Sequence, residues 1–274
     1  MSWFPIAIAL VLGLAFGSFM TVAIYRVPAG ESLVRPRSRC PSCGAPIRTA
    51  DNIPVISWLM LRGRCRACGA RIPPVYPLTE LASGGLFVAV ALVYEDPWRA
   101  VLLAPFAGLM VAISVIDVRH RRIPNRLIYP AFLIAAAVII VGDLAGGGLD
   151  ALDAGIGLVA YGLGLMIIAL ISPKGMGMGD VKLAGLIGMV LGSIGLDLVA
   201  VAAGMGILLG GAGAIVALLA GQGRKSAIPF GPFLAGGAVI AIFVGQPIAD
   251  AYLNLLTLPA RPEPAQTDAQ DRTA

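Results

Sequence analysis

A chain of 274 residues that is 58% hydrophobic and only 13% charged, with a mean hydropathy of +0.88, falls outside the soluble globular class, where about 25% of residues are charged. Its formal net charge of +5 calls for no nucleic acid. The excess is a topology signal and a means of contacting anionic lipid.

In chain order, the uncharged runs cover residues 3–25, 81–94, 100–116, 127–142, 154–173, 183–196, 198–223 and 226–249. A spanning helix needs roughly 17–25 residues. The two 14-residue runs, 81–94 and 183–196, must therefore borrow flanking residues such as Glu80, Val181 and Lys182. The pattern predicts an all-α polytopic membrane protein with about eight transmembrane helices. The runs lack the period-2 alternation that a membrane barrel requires. The first run is expected to be a spanning helix and not a cleavable signal, because it has no basic flank, is too long, and is followed by no small-x-small cleavage site.

Basic residues set the orientation. Residues 26–71 carry nine Arg, and Arg119, Arg121, Arg122, Arg126, Lys174, Lys182, Arg224 and Lys225 fall on the same side, giving 17 of the 20 Lys and Arg. Acids such as Glu95, Asp96, Asp143, Asp150, Asp153 and Asp197 collect on the other. The basic side is expected to be cytoplasmic, with both termini outside. Four segments follow: residues 1–26 as the first transmembrane helix, 27–77 as a cytoplasmic cysteine loop, 78–256 as a helical membrane core, and 257–274 as a Pro-rich, polar, disordered tail.

The cysteine loop contains Cys40-Pro-Ser-Cys43-Gly and Cys65-Arg-Ala-Cys68-Gly, with 21 residues between the pairs. Each Cys-x-x-Cys turn aims two thiolates at one ion, and the Gly that follows permits the tight turn. Cys40, Cys43, Cys65 and Cys68 are the expected ligands of a structural zinc ion in a zinc-ribbon-like loop. A redox dithiol is the weaker reading, since two matched knuckles exceed what it needs. With all four positions filled by protein, the ion would give the loop a folded core and would not catalyse.

Two aspartates stand out. Asp117 follows the run at 100–116, and Asp180 sits in Gly-Met-Gly-Met-Gly-Asp-Val-Lys at 175–182. Acids near helix ends are often structural. Here both lie on the side where only Glu31, Asp51 and Glu80 join them, and alternating glycines precede Asp180. Two carboxylates brought together can share a proton and activate water without metal or nucleophile. Gly175, Gly177 and Gly179 would let an extended peptide approach. Asp180 opens a helix, where the dipole favours an anion, and Asp117 ends one, so Asp180 is the expected base. Lys182 either tunes Asp180 or is an ordinary positive-inside residue. Glu80 lies at or inside a helix end, which makes a functional role the default. His120 reads as a loop residue, Phe230-Gly-Pro-Phe233 as either a site-shaping segment or a Pro-bent helix start, and Gly13-x-x-x-Gly17 as a packing contact.

Along nearly its whole length the chain resembles the prepilin peptidases, the type IV leader peptidase family of aspartyl proteases. The resemblance rests on Gly17-Ser-Phe19, Arg26-Val-Pro28, the two knuckles with Asp51-Asn-Ile-Pro54 between them, Tyr76-Pro-Leu-Thr-Glu80, both Asp motifs including Gly177-Met-Gly179-Asp180, and Ile228-Pro-Phe230-Gly-Pro-Phe233. It implies a bacterial inner-membrane endopeptidase that removes the leaders of type IV prepilins and type II secretion pseudopilins on the cytoplasmic side, after a glycine. It also implies S-adenosylmethionine-dependent N-methylation of the new N-terminus, to which the resemblance connects Glu80. Thr21 stands where the family often has Asn, so an amide is replaced by a hydroxyl in the methylating half. The alternatives are a non-catalytic zinc adaptor of pilus or secretion assembly and, more remotely, a transporter.

Overall fold

The computed structural model describes residues 3–35, 37–171, 176–221 and 229–256. Among them the regular elements are all helical, and strand-like pairing is limited to two isolated bridges, Arg39 with Pro46 and Arg64 with Arg71. Eight long helices occupy the eight apolar runs. They are α1 (Trp3–Arg26), α3 (Val75–Val93), α4 (Pro97–His120), α5 (Asn125–Leu144), α6 (Ala151–Ile171), α7 (Met178–Gly192), α8 (Leu196–Leu219) and α9 (Gly231–Leu256), with a short α2 (Ile56–Met60) inside the cysteine loop. The expected tail, Gly175, and the charges at Lys174, Arg224 and Lys225 lie outside the described residues.

Local chemistry explains the boundaries. Asp96 caps α4 by accepting the Arg99 backbone N–H at 2.8 Å, and Pro97 follows in the first turn, where a missing N–H costs nothing. The same helix ends where Arg121 turns left-handed at φ 51°. The apolar stretch 183–196 is cut at Gly192 by a turn through Ser193–Gly195, after which Leu196 and Asp197 open α8. At its other end α7 takes in Met178–Lys182, as the length requirement demanded.

Seven of the helices are long and apolar enough to cross a membrane. The exception, α7, has 15 residues, of which 11 are buried. Helices around it replace lipid, so its length need not match the hydrocarbon thickness. It packs antiparallel on α6, and at the crossing Gly157 and Gly188 approach so closely that a Cβ on either would strike the other's carbonyl. The ends of this pair are level on one side, where the Asp150 N–H donates to the Ser193 carbonyl at 2.8 Å. Because α7 has 15 residues against 21 in α6, its N-terminus stops short of the opposite end of α6 by about 9 Å at 1.5 Å per residue. The most buried long span is α4, with 67% of its apolar window inside the protein, and it packs against α1, α3, α5 and α9.

Candidate active site

Asp117 lies in the last turn of α4 and Asp180 in the first turn of α7, and both line one cavity of about 580 Å³. Val27 and Pro28, just beyond α1, form part of its wall, and His120, Arg121 and Arg122 are also among its lining residues. Asp117 is buried, and its Oδ2 accepts the Gly231 backbone N–H from the start of α9 at 3.0 Å. Asp180 is half-buried, and its Oδ2 accepts the Gly177 N–H at 3.1 Å, bridging back across the first turn of α7.

Two glycines make this assembly possible. A Cβ at Gly231 would stand 2.7 Å from Asp117 Oδ2, so only glycine lets the backbone donor reach the carboxylate. A Cβ at Gly179 would stand 3.0 Å from Ile123 Cβ, so this glycine sets how tightly the Asp180 turn packs on the Asp117 loop. Gly177 meets no such limit, with Asp180 Oδ2 at 3.4 Å from its virtual Cβ. Lys182 is not among the lining residues. Its Nζ donates to Asn125 Oδ1 at 3.0 Å and sits 5.2 Å from the Tyr129 ring centroid, which joins α7 to α5.

The four cysteines converge in the loop between α1 and α3. Their Sγ atoms all lie within 4.8 Å of one another, with Cys40 and Cys68 at 3.9 Å. Four thiolates at about 2.3 Å from one ion are spaced about 3.8 Å apart, so the cluster fits a single tetrahedral metal. The two knuckles are near copies. The Cys40 N–H donates to Ala45 O at 2.9 Å and the Cys65 N–H to Ala70 O at 2.8 Å, and Gly44 and Gly69 both take φ 71°. Backbone N–H groups of Cys43 and Ser42 pull the Cys40 thiol down to about 6, toward the thiolate that a metal requires. Beside the cluster, Arg66 pairs with Asp51 at 2.6 Å and holds that carboxyl below its usual range.

A second, larger cavity of about 1090 Å³ opens between this loop and the adjoining ends of α1 and α3. Thr21, Tyr25, Trp58, Tyr76 and Glu80 are among its lining residues. Tyr25 and Tyr76 stack at 4.8 Å with 18° between the rings. Glu80 is buried, and its Oε2 accepts the Val55 N–H at 2.7 Å. Val55 has φ 61°, a conformation that costs a β-branched residue about 1–3 kcal/mol. Glu80 is therefore paired, and it braces a strained turn at the start of α2. Thr21 is also buried and spends its hydroxyl on Ser18 O at 2.7 Å.

Sequence reasoning underweighted several groups here. His120 is the last residue of α4 and lines the Asp cavity. Gly231 is the donor that holds Asp117, in the segment read only as site-shaping or as a bent helix start. Tyr25 adjoins the Arg26-Val-Pro28 motif without belonging to it, and Tyr76 enters the sequence reading only as the first residue of the Tyr76–Glu80 motif.

Comparison with known proteins follows the same lines. A model of the bacterial peptidase A24 N-terminal domain matches residues 11–94, and one of the type IV leader peptidase family matches residues 104–220. The chain is similar to proteins named prepilin leader peptidase/N-methyltransferase. The one from Bacillus subtilis is 34% identical over 91% of this chain and 98% of its own length. The one from Stutzerimonas stutzeri is 36% identical over 91% and 94%, and the one from Aeromonas hydrophila 33% over 92% and 95%. No solved structure gives a significant match.

Proposed function

This chain belongs to the type IV leader peptidase family, and from that premise we propose that Asp117 and Asp180 are the catalytic dyad of a membrane aspartyl endopeptidase. Its substrates are prepilins and pseudopilins, cut at the junction between basic leader and apolar helix. The observation that carries the reading is that both carboxylates line one cavity, each anchored through Oδ2 by a backbone N–H. Asp180, the less buried of the two and at a helix N-terminus, is the base. It takes a proton from water as the water oxygen bonds to the scissile carbonyl carbon. Asp117 carries the shared proton and hydrogen-bonds the carbonyl oxygen. Collapse of the tetrahedral intermediate breaks the C–N bond and gives the departing amine a proton. The opening of Gly177 and Gly179 toward the cavity supports entry of an extended peptide, and Lys182 acts indirectly, by locking α7 to α5.

The sulfur spacing supports zinc as the ion of the cysteine cluster, in a structural role. The larger cavity supports the second activity in the relatives' names. Tyr25, Tyr76 and Trp58 offer ring faces suited to an adenine, and Glu80 with Ser18 and Thr21 offers acceptors suited to a cation. When bound there, S-adenosylmethionine supplies an electrophilic methyl group on sulfur. The residues of this cavity would orient the new N-terminus and accept the proton that its ammonium loses. The positive-inside pattern supports an inner-membrane location with the cysteine loop and both aspartates cytoplasmic and both termini outside. The division into first helix, zinc loop, membrane peptidase core and tail at 1–26, 27–77, 78–256 and 257–274 follows from the same reading.

The test is cleavage of a prepilin-like substrate by purified protein in detergent, read by intact mass. Wild type is expected to remove the leader and, with S-adenosylmethionine, to add 1 methyl, about 14 Da. Turnover retained in Asp117→Asn or Asp180→Asn would remove the dyad from the mechanism. Turnover absent in a folded wild type would leave a non-catalytic zinc adaptor.

A further inference from the structure

The two cavities share a wall. Tyr25 and Arg26, at the end of α1, line the larger one, and the next two residues, Val27 and Pro28, line the Asp117–Asp180 cavity. Val27 still donates its N–H to Ala23 O at 3.0 Å, so the strip continues the α1 helix. Along a helix, the three steps from Tyr25 to Pro28 advance about 4.5 Å, so the residues that line the two cavities fall within one turn of each other.

This wall is held from the peptidase side. Arg119, two residues past Asp117, lays its guanidinium 5.8 Å from the centroid of the Tyr25 ring, on the pair that Tyr25 makes with Tyr76. Arg126, in the first turn of α5, donates from Nη1 to the Gly30 carbonyl at 3.0 Å. From within the strip, Arg26 donates to the Ser32 carbonyl at 3.1 Å. Arg119 and Arg126 both come from the segment that carries Asp117, and neither is among the lining residues of either cavity.

Building on the reading of the two cavities as cleavage and methylation sites, we propose that the amine end freed at Asp117–Asp180 passes directly over the Tyr25–Pro28 strip into the Glu80 cavity without release from the protein, and that Arg119 and Arg126 are positioning residues that hold this passage. The product's apolar helix stays in the membrane, so only its N-terminal residues have to move, and the strip they cross is about one helical turn long. The clamps act on an aromatic face and a backbone carbonyl, which fits a role in fixing a wall and not in binding substrate.

A trapping experiment tests this on the full-length protein in detergent. Isotopically heavy prepilin is supplied with S-adenosylmethionine and a hundredfold excess of light, already cleaved, unmethylated pilin, and products are read by mass. Wild type is expected to methylate most of the heavy product despite the trap. The double variant Arg119→Ala/Arg126→Ala is expected to cleave prepilin and to methylate pre-cleaved pilin at wild-type rates when each is supplied alone. In the presence of the trap its methylated heavy fraction should fall about tenfold, and Arg119→Lys/Arg126→Lys should recover part of it. Dilution of heavy product in the wild type to the level set by the trap overturns direct passage. Failure of the wild type to methylate even pre-cleaved pilin overturns the underlying methylation reading, and the passage with it, while leaving cleavage standing.

Discussion

The two cavities are built by opposite means. The Asp117–Asp180 cavity is closed by the ends of packed helices, with Gly231 pressed against one carboxylate and Gly177 capping the other. Its shape is fixed by the membrane core. The Glu80 cavity is closed on one side by a loop with few buried apolar residues, whose order rests on four cysteines and on Glu80 holding the strained Val55 turn. One site is thus secured by tertiary packing and the other by a local cysteine cluster and a braced turn, and the two are expected to fail under different insults.

The strongest break in that contrast is at the carboxylates. Asp117→Asn or Asp180→Asn is expected to lower cleavage by about a thousandfold or more while leaving methylation of pre-cleaved pilin intact, with both rates measured on the same preparation. Gly231→Ala comes next. The new methyl displaces the Asp117 carboxylate, and a displacement near 1 Å costs about a hundredfold in rate, so kcat for cleavage should fall with KM little changed. Removing the metal with a chelator, or Cys43→Ser, should reverse the pattern. Methylation is expected to fall about tenfold or more, as loss of support around a metal site commonly does, cleavage should fall less, and limited proteolysis should cut the loop between residues 40 and 68. Glu80→Ala leaves the Val55 N–H unpaired at about 1–3 kcal/mol, seen as a lower melting temperature together with weaker methylation. The smallest effect is at the surface ion pair. Asp51 is held below its ordinary range by Arg66, so its contribution is present above that range and lost as pH falls through it. Arg66→Ala should leave the neutral-pH melting temperature nearly unchanged and flatten its fall on acidification.

Much of this was legible in the sequence for a physical reason. Helix number follows from apolar run length, and all eight runs became helices. The cysteine cluster follows from spacing within and between two knuckles, a local property. What the sequence hid are contacts between distant segments. The Gly231 N–H reaches Asp117 across 114 positions, and Lys182 reaches Asn125 across 57. Neither donor differs in type from many others in the chain. The dipole reasoning that set Asp117 at an unfavourable helix end also lacked one partner. The C-terminus of α4 meets the N-terminal donor of α9 at that carboxylate, which only the assembled bundle reveals.

The shortness of α7 has a consequence for the membrane itself. Its N-terminus stops about 9 Å inside the end of α6, so Asp180 sits below the plane that the neighbouring helix reaches. The depth of that recess belongs to the protein, whereas the depth of the leader–helix junction in a client belongs to the bilayer. Acyl-chain length therefore becomes a variable of the reaction. In reconstituted vesicles of graded lipid thickness, cleavage should pass through an optimum where the junction and the recess coincide, and clients with longer apolar helices should shift that optimum toward thicker bilayers.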